Sequence, residues 1–135
     1  MSLHQAAARG NVAEVRRLVA KGKNVNELDA NGNTALHVAA RNGHVETITV
    51  LVQLGVDKEA KTADGATALL WAAFSGHVEA IKLLVQLGVD KEAKTAAGAT
   101  ALHGAAGNGH VEAITVLVQL GVDKEAKTAD GATDS

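Results

Sequence analysis

Histidine is the residue type here best suited to metal binding or general acid–base catalysis, and the chain has six histidines. His44-Val45-Glu46 begins like a zinc-binding helix, but it lacks the second histidine that such a helix needs. No cysteine is available as a further ligand. His44 instead recurs as His77 and His110 at intervals of 33 residues, which favours a structural role. We therefore predict no metal site.

The other residues that could carry chemistry lack the partners that catalysis or nucleotide binding requires. The glycine-rich segment 104–109 has neither the spacing of a dinucleotide-binding loop nor the lysine of a phosphate-binding loop. Ser75 has no recognisable base and orienting acid. Glu46 begins a predicted helix, where a carboxylate is stabilised by the helix dipole. We predict a protein that is not an enzyme and that binds no cofactor.

Composition limits the possible partners and the size of the fold. The 135 residues suit one domain, residues 1–135, and the near absence of aromatic residues predicts a core of closely packed aliphatic side chains. A formal charge of -2 disfavours binding to nucleic acid or to an anionic membrane. No signal peptide or membrane span is recognisable. We expect a soluble, intracellular protein, cytoplasmic if it is natural.

A period of 33 residues sets the architecture that must position these side chains. Threonine recurs at this interval, as Thr34, Thr67, Thr100 and Thr133. Each threonine is predicted to cap a short Ala- and Leu-rich helix, and a glycine such as Gly43 ends that helix. A second helix with an apolar stripe then runs to Gly55, and the polar segment 56–65 follows as a finger closed by Asp-Gly. The predicted units are 1–33, 34–66, 67–99 and 100–135.

The phrase Thr-Ala-Leu-His-x-Ala-Ala, followed by Asn-Gly-His-Val-Glu and Gly-Val-Asp, resembles the ankyrin repeat. The resemblance implies an all-α solenoid of about four helix-turn-helix units with hairpin-like fingers, which binds another protein. Ala35, Ala68 and Ala101 occupy the column where the family usually has proline. Residues 50–67 recur without change as 116–133, which indicates recent duplication or design, and we favour a designed ankyrin-type scaffold.

Two columns of the first helix differ most between units. One column holds Gln5, Val38, Trp71 and Gly104. The other, three positions later, holds Ala8, Arg41, Phe74 and Gly107. Positions three apart share one helix face. The resemblance implies that this face lines a concave binding groove, so the row changes along the stack from polar residues through aromatic residues to bare backbone.

Trp71 and Phe74 are the only tryptophan and phenylalanine of the chain, and large aromatic residues are typical anchors of protein interfaces. The alternative is that they pack locally between units. Gly104 and Gly107 each cost about 0.5–1 kcal/mol relative to alanine inside a helix. They indicate either a space cleared for a ligand or another chain, or tolerated variation near the chain end.

Leu70 replaces the histidine found in the other units, so it either removes a buried polar group or extends the aromatic patch. Ala97 removes a polar or acidic residue from a fingertip. At the N-terminal end, Arg16 and Arg17 indicate a capping unit. At the other end, the internal pattern continues unchanged, which predicts an exposed apolar patch formed by Ile114, Val116, Leu117 and Val118.

The sequence therefore predicts a non-catalytic, protein-binding or self-assembling scaffold. Self-association as a homo-oligomer, such as a dimer through the C-terminal half, and binding of a separate protein both remain open. The predicted contact residues are Arg41, Leu70, Trp71, Phe74, Lys82, Gly104 and Gly107.

Overall fold

A computed structural model describes residues 1–125, which form four successive helix pairs. Asp130 and Thr133, which continue the repeat in sequence, lie outside the described residues. Within 1–125 the structure has no strand, and the all-α solenoid of helix-turn-helix units is confirmed. The helices are α1 (Leu3–Ala8), α2 (Val12–Ala20), α3 (Ala35–Arg41), α4 (Val45–Gln53), α5 (Ala68–Phe74), α6 (Val78–Gln86), α7 (Ala101–Gly107) and α8 (Val111–Gln119).

The helices form two layers. Helices α1, α3, α5 and α7 contact one another in order and make the first-helix layer. Helices α2, α4, α6 and α8 make the second-helix layer in the same way. Leucines and isoleucines such as Leu36, Ile81 and Leu117 fill the space between the layers, and buried alanines such as Ala72 let the first helices approach closely. Each unit covers the apolar side of its neighbour, so stability is shared between adjacent units.

Threonine caps the first helices α3 and α5, as predicted, whereas Ser2 caps α1. The backbone N–H of His37 donates to Thr34 Oγ1 over 3.4 Å, and the backbone N–H of Leu70 donates to Thr67 Oγ1 over 3.3 Å. The Nδ1 atom of His37 also accepts the backbone N–H of Thr34 at 3.0 Å. The cap therefore satisfies backbone donors that would otherwise be unpaired at the helix start.

His37 joins its unit to the next one. Its Nδ1 atom is an acceptor, so Nε2 carries the proton and donates to Ala66 O at 3.0 Å. The side chain is only 2 % exposed. Burial lowers the pKa of His37, although the hydrogen bond to the Ala66 carbonyl acts in the opposite direction. The neutral imidazole is therefore the form that the folded chain holds.

The histidines that start the second helices also link neighbouring units. Nε2 of His44 lies 2.8 Å from Ala8 O, and Nε2 of His77 lies 2.8 Å from Arg41 O. Ala8 and Arg41 are each the last residue of the first helix in the preceding unit. Each ring packs on a glycine of the preceding unit. Gly43 has a left-handed φ of 73°, and a Cβ atom there would lie 2.7 Å from His77 Nδ1. The predicted structural role of these histidines is confirmed.

The fingers are hairpin-like turns that stack on one another. In the second finger the Thr62 N–H donates to Ala66 O at 2.9 Å, and Gly65 takes the left-handed conformation with φ 84°. The Ala96 N–H of the next finger donates to Asp64 O at 3.1 Å. Lys58 Nζ donates to Leu87 O, at the C-terminal end of α6, over 2.6 Å. No helix within residues 1–125 has the length and apolar character needed to cross a bilayer.

The two ends of the stack differ, but the difference is smaller than the sequence predicts. Arg16 and Arg17 are exposed on α2, as expected of a capping unit. The expected exposed patch on α8 is wrong for Val116 and Leu117, which are buried because they face inward, as their counterparts on α4 do. The exposed apolar side chains of α8 are Val111 and Val118.

Candidate functional site

An apolar cavity of about 300 Å³ lies between α5 and α7, where two neighbouring fingers meet the first-helix layer. We call it the apolar cavity. It brings together four of the predicted contact residues, Leu70, Trp71, Phe74 and Gly104. Its remaining lining residues are Ala66, Thr95, Ala99, Thr100 and His103. No side chain in this lining is acidic, and the cavity suits an apolar group rather than an ion.

Trp71 and Phe74 form one wall of the apolar cavity. Their ring centroids are 5.6 Å apart in an edge-to-face arrangement, with 72° between the planes. Phe74 is 50 % exposed, and Trp71 is less exposed than Phe74. The guanidinium of Arg41 lies 5.7 Å from the centre of the Trp71 ring, within the range of a cation–π contact. Helices α3 and α5 thus place a cation and two aromatic rings on one continuous surface.

The two unusual glycines of α7 have different surroundings. Gly104 lines the apolar cavity, and a Cβ atom built on it would make ordinary contacts of 3.7 Å with Phe74. Close packing therefore does not require glycine at this position. Gly107 is exposed, has no neighbour within 4 Å of a Cβ position among the described residues, and does not line the cavity. Alanine fits at both positions, but only Gly104 widens the cavity.

Leu70 satisfies both alternatives that the sequence leaves open. It is 7 % exposed, so it replaces a histidine at a buried position, and it also lines the apolar cavity. His37, at the same position one unit earlier, donates to Ala66 O. Leu70 cannot donate to the equivalent carbonyl, Ala99 O, which keeps the hydrogen bond from Thr95 N at 2.9 Å. The third unit thus lacks one link between units and has an apolar wall in its place.

A second cavity, of about 450 Å³, lies on the other side of Trp71, between α3, α5 and their fingers. We call it the polar cavity because its lining includes the side chains of Asn31, Asn33, Arg41 and Asp64. Trp71 lines both cavities. Its indole Nε1 atom is buried and has no hydrogen-bond partner within the described residues. An unpaired buried donor of this kind costs about 1–3 kcal/mol in a folded protein.

The expectation that Lys82 borders this surface needs correction. Lys82 lies on α6, in the second-helix layer, and its ammonium group forms an ion pair of 3.2 Å with Glu79. It lines a separate groove with Val45 and Leu83. Lys82 lines neither the apolar cavity nor the cavity between α3 and α5. Lys82 is therefore not part of the candidate site.

The fingers contribute a part of the candidate site that the sequence pattern does not predict. Thr95 and Ala99 line the apolar cavity, and Asn33 and Asp64 line the polar cavity. The available signal was their position just before or within the turn that precedes each capping threonine. His103 was also missed, because it matches the repeat pattern and so carries no signal of its own.

The chain matches two family models of ankyrin repeats. The model described as ankyrin repeats (many copies) matches residues 3–52, and the model described as ankyrin repeats (3 copies) matches residues 51–128. The chain therefore belongs to the ankyrin-repeat family, whose repeats are generally protein–protein interaction modules. No curated protein matches the chain. Within residues 1–125 no group of three or more His, Asp or Glu side chains is placed to hold a metal ion.

Proposed function

We propose that this protein is a non-catalytic binding module whose first-helix surface holds a separate protein partner around the apolar cavity. One observation carries the proposal. Four residues that depart from the repeat, Leu70, Trp71, Phe74 and Gly104, come from two different units and line a single cavity. These changes therefore alter one surface that two neighbouring units share.

The energetics of these residues support a role in binding rather than in folding. Gly104 gives up about 0.5–1 kcal/mol of helix stability, although alanine would fit. Leu70 removes a hydrogen bond between units, and Phe74 leaves an apolar ring half in water. Residues that lower the stability of the unbound protein are typical of functional surfaces. Burial of the Phe74 ring and of the cavity walls against a partner would offset these losses.

The test is a selection of binders for the full chain from a displayed library of folded protein domains. Replacing both aromatic anchors, Trp71→Ala with Phe74→Ala, should weaken the selected binders by more than about 30-fold, which corresponds to about 2 kcal/mol. Gly104→Val should also weaken binding while both rings stay in place. The control variant Arg16→Gln, exposed on α2 in the second-helix layer, should bind as the wild type does.

Circular dichroism and urea unfolding accompany each variant, so that a loss of binding is separated from a loss of folding. If the double variant unfolds, the Gly104→Val result decides the matter, since that change fills the cavity without removing a core side chain. The proposal would be refuted by binders whose affinity is the same for the wild type, for the double variant and for Gly104→Val.

Self-association is a second candidate, and the exposed apolar side chains of α8 favour it. Val111 is 72 % exposed and Val118 is 39 % exposed, and both lie on one side of α8 with Ile114. Light scattering at micromolar concentration gives the mass of the free protein. A dimer that dissociates in Val111→Ser with Val118→Ser would establish this candidate, whereas a wild-type monomer would exclude it.

A further inference from the structure

The inference rests on the proposed function and concerns the chemistry of the partner. We propose that the two cavities beside Trp71 hold one extended segment of the partner, with an apolar side chain in the apolar cavity and an acidic side chain near Arg41. The spacing of the helices, the charges around the cavities and the small size of the apolar cavity support this assignment.

The spacing follows from the arrangement of the first helices. The polar cavity lies between α3 and α5, and the apolar cavity lies between α5 and α7. Neighbouring packed helices are about 8–10 Å apart, so the two cavities are separated by about that distance. In an extended backbone of the polyproline II type, side chains three positions apart share one face and are about 9 Å apart. An apolar residue and an acidic residue at this spacing match both cavities at once.

The charges favour an acidic partner segment. Arg41 forms no ion pair within the part of the chain that the structure describes, and its guanidinium is held beside the Trp71 ring. On the apolar side, Ala97 occupies the fingertip position of Asn31 and Asp64, so no carboxylate there repels an acidic segment. Asp64 is the one acidic side chain in the lining of the polar cavity. Its repulsion provides a control of opposite sign to Arg41.

The size of the apolar cavity favours a single inserted side chain. Its volume of about 300 Å³ lies at the lower end of the range for ligand pockets. Phe74 is half exposed beside it, so a large aliphatic or aromatic side chain would contact this ring and the backbone at Gly104. A single anchor in a pocket next to a charged contact is a usual form of peptide recognition.

The experiment is a selection of random dodecapeptides displayed on phage against the full chain, with counter-selection against Gly104→Val. We expect enriched peptides to share a large apolar residue and an Asp or Glu three positions away. Synthetic peptides are then titrated by the fluorescence of Trp71, the only tryptophan in the chain. Changing the peptide acid to its amide should lower affinity about two- to fivefold on the wild type but should not lower it on Arg41→Gln, where only the repulsion from Asp64 remains. Asp64→Asn should raise the affinity of the acidic peptide.

The outcomes separate the partner chemistry from the proposed function. Peptides that require Gly104 and Trp71 but have no acid at this spacing, or that have a basic residue there, overturn the inference and leave the proposed function standing. Peptides that bind Gly104→Val, Arg41→Gln and Asp64→Asn as tightly as the wild type overturn both the inference and the proposed function. A response to Arg41→Gln that is the same for the acidic peptide and its amide also overturns the inference.

Discussion

The glycines that end the first helices provide a direct measure of how strongly neighbouring units depend on each other. Gly43 and Gly109 have nearly the same left-handed conformation, with φ of 73° and 71°. A Cβ atom on Gly43 would lie 2.7 Å from Nδ1 of His77, whereas a Cβ atom on Gly109 would meet nothing within 4 Å among the described residues. Replacing each glycine by alanine therefore applies the same backbone change with and without a contact to the next unit.

The expected magnitudes differ for this reason. Placing alanine in the left-handed region costs about 1–2 kcal/mol, partly offset by the lower entropy of the unfolded chain, which leaves about 1 kcal/mol for both variants. Gly43→Ala must also displace the His77 ring, which donates to Arg41 O at 2.8 Å. Loss of that hydrogen bond adds about 0.5–1.5 kcal/mol. We expect Gly43→Ala to cost about 2 kcal/mol and Gly109→Ala about 1 kcal/mol.

Urea unfolding followed by circular dichroism measures both free energies. The variant His77→Ala supplies the double-mutant cycle, since without the ring Gly43→Ala should cost no more than Gly109→Ala. Equal costs for the two glycine variants in the wild-type background would refute the reasoning. They would mean that the contact between Gly43 and His77 does not contribute to the stability of the stack.

Four further variants test individual contacts. Gly104→Ala and Gly107→Ala should each raise the free energy of unfolding in urea by about 0.5–1 kcal/mol. Only Gly104→Ala should lower the affinity for a partner, since only Gly104 lines the apolar cavity. Burial lowers the pKa of His37 in the folded chain. Below about pH 6.5 the unfolded chain therefore binds a proton at this histidine more readily than the folded chain does. The free energy of unfolding should therefore be highest above that pH and should fall as the pH drops towards the folded pKa. His37→Leu should reduce this dependence of the unfolding free energy on pH. Lys58→Met should cost about 1 kcal/mol in thermal unfolding, since its ammonium group donates to Leu87 O.

The architecture was predictable because it depends on local signals that repeat. Thr34 and Thr67 cap first helices, and Gly43 and Gly65 take the left-handed conformation that ends a helix or closes a finger. These effects depend on a residue and its immediate neighbours, so a sequence period reveals them. The aromatic part of the site was predictable for the related reason that Trp71 interrupts the period.

The remaining parts of the site depend on contacts between units that no local pattern encodes. Thr95 and Ala99 contribute to the apolar cavity only because the finger folds back against α5 and α7. Lys82 was placed with the aromatic residues, but the second helix faces another surface. The different surroundings of Gly104 and Gly107 follow from the position of Phe74 in the preceding unit.

The most direct test of the proposed binding surface uses the single indole N–H of the chain. Trp71 gives one indole resonance in a ¹⁵N–¹H correlation spectrum, and this N–H is buried beside both cavities without a partner in the described residues. On titration with a selected partner, we expect this resonance to shift or broaden together with the backbone signals of α5 and α7. An indole resonance that stays unchanged at saturation, while signals of α6 or α8 move, would contradict it.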